Sequence, residues 1–183
     1  MKYHTTEQLR ALSEHIHESQ VKWWVDLKTG QPIERNEGEC LMLVVTELAE
    51  AIEGIRKGLM DDKLPHRKME EVEMADATIR LLDASAGFGW VNIGLGKLGN
   101  HRARSRIKSE RILNIVRRVC MCEEEFTEAD KAFHCNTALT MIESYCMDFN
   151  LDLDGALIEK HTFNLTREDH QPEARLAAGG KTF

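Results

Sequence analysis

Between Glu39 and Leu59 the apolar residues Leu41, Val44, Val45, Leu48, Ile52, Ile55 and Leu59 recur at spacings of three and four. Those spacings follow one side of an α-helix and are incompatible with the strict alternation of a half-buried strand. A stripe of this length has to be covered by a neighbouring element, which commits the chain to packing helix against helix. A second stripe, Val72, Ala75, Ile79, Leu82 and Ala86, occupies a segment from about Lys68 to Ala86, beyond the loop "MDDKLPHR". Gly58 is expected to stop the first helix, and the glycines of "GFGWVNIGLGKLGN" to stop the second.

The remaining segments fit the same class. A Thr-capped helix is expected from about Thr6 to Leu27, carrying Leu9, Leu12, Ile16, Val21 and Trp24 up to the breaker run "KTGQPIERNEG". Another covers "EADKAFHCNTALTMIESYCMDF", and a last one runs from about Leu151 to Phe163 into a polar tail. Only three Pro and two Tyr among 183 residues argue against a many-stranded sheet. The expected fold is a single all-α domain over residues 1–183, a helical bundle with an inserted helical pair at about 91–145. No apolar run is long enough to cross a bilayer, and the N-terminal stretch lacks the apolar centre of a signal peptide. A cytoplasmic chain without membrane contact is expected.

Cys40, Cys120, Cys122, Cys135 and Cys146 form an odd set without a CxxC pair, which reads as free thiols. A site built from Cys120, Cys122, His134 and Cys135 is disfavoured, because residues two apart on a helix point to nearly opposite sides. The net charge of -7 disfavours generic nucleic-acid binding and suits a chain that gathers carboxylates around cations.

Carboxylates are placed where such a site needs them. Glu47 and Glu50 are three apart on the first striped helix, and Glu73 and Asp76 are three apart on the second, so each pair is a pair of surface neighbours. Packing the two stripes together brings the pairs face to face. Four carboxylates in that position repel one another and lose hydration unless cations neutralise them. Oxygen donors without His or Cys suit Mg²⁺, with Mn²⁺ as the alternative. Gly54, on the Glu47 and Glu50 face, is expected to leave room for a ligand. Either pair alone fits an ordinary solvated helix face; two pairs joined by a short loop are more specific.

The context of these pairs, "ELAE" at 47–50 and "EMAD" at 73–76 with 22 residues between them, extends to "RNEGE", "EAIEGIRKG", "EVEMADATIRLLD" and the C-terminal "EKHTFN", "TREDH" and "GGKTF". Over roughly residues 20–90 and 145–183 the chain resembles the MazG-like all-α nucleoside triphosphate pyrophosphohydrolase superfamily, whose hallmark is ExxE on one helix and ExxD on the next. The resemblance implies Mg²⁺-dependent hydrolysis between the α- and β-phosphates, releasing a nucleoside monophosphate and pyrophosphate, with nucleotide-pool cleaning as the inferred role. It implies that Glu47, Glu50, Glu73 and Asp76 hold the metal, with Glu50 assigned to the attacking water, and that Lys160, Asn164, Arg167 and Lys181 bind phosphate. It also implies a homodimer or higher homo-oligomer. Lys160, Asn164 and Arg167 would lie along one face of a continuing helix. Arg80 is read as a phosphate or carboxylate contact, with an ion pair to Asp76 or Asp83 as the alternative. Trp23 and Trp24 are the candidates for a base-stacking wall.

Two rivals differ in chemistry. A di-iron bundle needs two Glu-x-x-His elements, and only Glu14 with His17 has that spacing. A non-enzymatic nucleic-acid-binding or regulatory module would use the basic segment 97–118, where eight Lys and Arg face one Glu. No aromatic residue interleaves that run.

Overall fold

The computed structural model describes residues 6–91, 105–123 and 127–177. Among them all regular secondary structure is helical. The α-helices are α1 Thr6–Gln20, α2 Glu37–Lys57, α3 Met69–Gly87, α4 Lys108–Cys120, α5 Glu128–Asp148, α6 Leu153–Thr166 and the short α7 Pro172–Leu176. Two 3₁₀ turns, Val21–Trp23 and Glu168–His170, follow α1 and α6. The all-α bundle expected from the stripes is what forms, and no described helix is long and apolar enough to cross a membrane.

Helix α3 lies in the middle, contacting α1, α2, α5 and α6. Its burial extends well beyond the expected stripe and takes in Met74, Ala77, Leu81 and Ala84. A helix covered on most sides is apolar on most sides. Two of the polar groups buried along it are bonded to its backbone: Thr78 Oγ1 donates to Met74 O at 2.8 Å, and Ser13 Oγ of α1 donates to Leu82 O at 2.6 Å. Glu70 accepts from the Tyr145 hydroxyl and from Lys108 Nζ, the latter at 2.6 Å, tying α3 to α5 and α4. Ile112, Ile115 and Val119 of α4 and Leu139, Ile142 and Tyr145 of α5 share one core with α1, α2 and α3. The helical pair therefore packs as part of the bundle.

Local chemistry sets the helix ends. Asn36 caps α2 by accepting from Glu39 N at 2.9 Å, and Gly58 ends it in the left-handed region at φ 63. From there Leu59 O accepts from Met69 N at 3.1 Å, and buried Asp61 accepts from Lys63 N and Leu64 N, so the loop closes tightly and turns α3 back along α2. Thr127 and Asp130 form a capping box at the start of α5, and Asp152 caps α6.

Two expectations are corrected. The first helix stops at Gln20 and not at Leu27. Asp26 Oδ1 accepts from Lys28 N at 3.0 Å and from Thr29 N at 2.8 Å, so residues 26–31 close a turn and the chain doubles back with Ile33 N donating to Trp24 O. Gly54 does not face a ligand: a Cβ there would stand 2.9 Å from Met69 Cβ and 3.1 Å from Glu70 N. Its missing side chain lets the start of α3 approach α2.

Candidate metal and phosphate site

Packing α2 against α3 brings one carboxylate oxygen each from Glu47, Glu73 and Asp76 within 4.8 Å of one another. Among the described residues this is the one group of three or more His, Cys, Asp or Glu donors close enough to hold a metal ion. All three side chains are buried. Glu50, the fourth carboxylate of the sequence pattern, is exposed and lines the same cavity. Its charge helps push up the carboxyl groups of Glu47 and Glu73.

The cavity has a volume of about 470 Å³, and its cationic lining residues are Lys63, Arg80, Lys160 and Arg167. Helix α6 supplies Lys160 and Asn164 from the side of α3. Lys160 Nζ stands 3.1 Å from Asp76 Oδ2, and Asn164 Nδ2 donates to Asp76 Oδ1 at 3.0 Å. Arg80 crosses to α2, donating through Nε to Glu47 Oε1 at 3.1 Å. It pairs there with Glu47, and not with Asp76 or Asp83 as the intrahelical alternative held. Asp83 accepts instead from Trp24 Nε1 at 3.1 Å and lies 2.7 Å from His17 Nδ1.

The electrostatics follow from burial and crowding. Desolvation is the largest influence on Glu47 and Glu73 and raises both; Arg80 offsets part of it at Glu47, and Lys160 part of it at Glu73. Asp76 and Glu50 add repulsion at both positions. Burial pulls Lys160 down, but Asp76, Glu73 and Asp61 outweigh it and hold the ammonium above its ordinary value. Three crowded oxygen donors, with two of them reluctant to ionise alone, fit a hard divalent cation, which would supply the missing positive charge.

Other sequence candidates are placed differently from expectation. Arg167 does not continue α6: its backbone turns extended at φ -59, ψ 127, and its guanidinium makes a two-bond contact with Asp169, both at 2.8 Å. It still lines the carboxylate cavity. Trp23 also lines that cavity, but the Arg175 guanidinium lies 3.8 Å over its ring and His170 packs edge-on at 5.3 Å, so one face is already covered. Trp24 borders a separate cavity of about 890 Å³ together with His17, Phe88, Arg35 and Gly38. A Cβ at Gly87 would overlap its ring, and the bond to Asp83 fixes its orientation. Lys181 lies outside the described residues.

Lys63, Asp62, Thr46 and His170 line the carboxylate cavity without having been singled out by the motifs. Lys63 sits in "MDDKLPHR" between the two motif helices, where it pairs with Asp62 at 2.9 Å; a cation in the loop joining the two carboxylate pairs could have signalled it. The cysteine and histidine metal site does not assemble among the described residues. Cys120 is exposed while Cys122 and Cys135 are buried, and His134 Nδ1 lies 2.8 Å from Arg118 Nη1. Within the basic run, Lys108 pairs with Glu70, Arg111 with Asp148 at 2.7 Å, and Arg117 Nη1 donates to Asn114 Oδ1 at 3.1 Å. Residues 97–104 of that run lie outside the described residues. Comparison of the chain with family models, curated proteins and solved structures gives no match.

Proposed function

We propose that this chain is a divalent-cation-dependent nucleoside triphosphate pyrophosphohydrolase, cutting between the α- and β-phosphates as the MazG-like resemblance implies. The observation that carries the reading is the single cavity in which Glu47, Glu73 and Asp76 converge beside Lys160, Asn164, Arg167 and Arg80. Carboxylates able to hold a cation, with cationic and amide groups beside them able to meet phosphate oxygens, are the two halves that phosphoryl transfer requires.

Glu47, Glu73 and Asp76 would hold Mg²⁺, or Mn²⁺ in its place, with Glu50 at the cavity edge. When bound, the cation neutralises phosphate oxygens and lowers the barrier to attack by water. Glu50 is exposed and therefore free to accept a proton from that water, the role assigned to it. Asn164 holds Asp76 by its amide, fixing one carboxylate oxygen. Lys160 and Arg80 lie on carboxylates from which they can turn to the leaving pyrophosphate, and the Arg167 fork suits phosphate oxygens. The wider cavity beside Trp24 offers the aromatic wall for a base. A cytoplasmic homodimer or higher homo-oligomer acting in nucleotide-pool cleaning completes the proposal.

The test is a panel of ribo- and deoxyribonucleoside triphosphates with Mg²⁺, scored separately for pyrophosphate and orthophosphate. Pyrophosphate and monophosphate in equal amounts, abolished by chelator, are expected. Orthophosphate with a nucleoside diphosphate as first products would overturn the reaction assigned.

A further inference from the structure

Between the carboxylate cavity and the Trp24 cavity lies a third, more enclosed void of about 20 Å³, bordered by Arg35, Asp76, Asp83, Asn164 and Gln20 among others. Two of these residues point an unpartnered polar atom away from solvent: Arg35 Nη2 and Asn164 Oδ1. Arg35 also borders the open Trp24 cavity, and Asn164 the open carboxylate cavity. The small void is a space that both residues border. One atom is a donor and the other an acceptor. A buried polar atom without a partner costs about 1–3 kcal/mol, and a polar void of roughly 10–15 Å³ or more holds one water.

We infer that a single ordered water bridges Arg35 Nη2 to Asn164 Oδ1, and that Arg35 thereby positions Asp76. Asn164 is 7% exposed and gives its Nδ2 to Asp76 Oδ1 at 3.0 Å. Its amide cannot turn over without losing that bond, so the place of its oxygen is fixed. The chain of contacts runs from Arg35 through water and Asn164 to one carboxylate of the proposed cation site. Arg35 is held from the other side, its guanidinium lying 5.2 Å over the Trp24 ring and its backbone just ahead of the α2 cap Asn36. It is a positioning residue, with no role in touching the reacting atoms.

The inference rests on the reading of Glu47, Glu73 and Asp76 as cation ligands, and its sign separates it from simple electrostatics. Removing a positive charge near a cation site tightens cation binding by Coulomb's law, whereas removing a support of a ligand weakens it, by about 10-fold or more for groups behind metal ligands. Mn²⁺ binding to the full-length protein is measured by calorimetry for wild type, Arg35→Met and Arg35→Lys, alongside a crystal structure of the wild type that resolves ordered water. The expected results are a water within hydrogen-bonding distance of both atoms, about 10-fold weaker Mn²⁺ binding for Arg35→Met, and recovery by Arg35→Lys, which keeps a donor. Equal or tighter binding by folded Arg35→Met overturns the positioning role, and an empty void, or a water touching neither atom, overturns the bridge. If Arg35→Met does not fold, the wild-type density decides. Wild-type protein that binds no Mn²⁺ removes the cation site itself, and the positioning role with it, while leaving the bridge to the crystal structure.

Discussion

Replacing Glu73 by Gln should stabilise the cation-free protein, and by more as pH rises. Burial, with repulsion from Asp76, Glu47 and Glu50, pushes the Glu73 carboxyl up to about 9. A carboxyl raised above its unfolded value of about 4.5 favours folding fully only below that value, and the contribution is lost as pH climbs toward 9. Each pH unit in that window costs about 1.4 kcal/mol, so at pH 7.5 the three units above 4.5 amount to ~4 kcal/mol. Water and counterions entering the open cavity screen part of this, leaving an expected gain for Glu73→Gln of about 2–3 kcal/mol. For a chain of this size that corresponds to a rise of roughly 5–10 °C in melting temperature. The assay is urea denaturation in EDTA at pH 6 and pH 8, repeated with millimolar Mg²⁺. Glu73→Gln should exceed wild type in EDTA, with the gap wider at pH 8. Mg²⁺ should then narrow or reverse it, since a ligand at 100 times its Kd adds about 2.7 kcal/mol to the form that binds it. A gap that is absent, or that shrinks as pH rises, would refute the claim that crowding at this site strains the cation-free fold.

Glu50→Gln and Asp76→Asn should keep the far-UV circular dichroism of wild type and lower triphosphate turnover by about 10²-fold or more; near-normal rates in both would make these carboxylates bystanders. Gly54→Ala adds a Cβ against Met69 and Glu70, an overpacking expected to cost about 1–3 kcal/mol, and an unchanged urea midpoint would contradict the close approach of α2 and α3. His161 is held below its ordinary value by burial and by His15, while Ser19 Oγ stands 2.7 Å from its Nε2 and Lys160 precedes it on α6. A histidine with a lowered folded value contributes stability that is lost as pH falls below about 6.5. His161→Gln should therefore flatten the stability profile between pH 7 and 5, and a slope identical to wild type would place the acid sensitivity elsewhere.

The bundle was legible because its signals are local. The α2 stripe from Leu41 to Ile55 and the Gly58 stop follow from the helical period and from one backbone conformation, and both are where the sequence puts them, while Leu59 falls past the stop and is exposed. The carboxylate group was legible for the same reason: three residues apart on two helices joined by a short loop leaves little freedom in where Glu47, Glu73 and Asp76 meet. Where the reading failed, the deciding contact came from distant sequence or from a side chain competing with the backbone. Past the end of α1 and its 3₁₀ turn, the Asp26 side chain closes a turn with Lys28 and Thr29 where a continuing helix was expected. Arg175, at the far end of the chain, covers one face of Trp23. Nothing in the spacing of Lys160, Asn164 and Arg167 announces that the helix stops at Thr166 and that Asp169 takes the Arg167 fork.

The pairing of opposite charges was equally invisible from spacing, and it bears most on function. Asp76 is balanced by Lys160 from α6, and Glu47 by Arg80 reaching across from α3. These cations are also the ones to which the proposed reaction assigns phosphate oxygens. On that reading, a divalent cation arriving at the carboxylates takes over the charge balance that Lys160 and Arg80 provide. The two side chains, partly released from their carboxylates, then gain most from an anionic ligand in the same cavity. A triphosphate supplies that charge, so cation and triphosphate each favour the binding of the other, without any movement of the helices that carry the site.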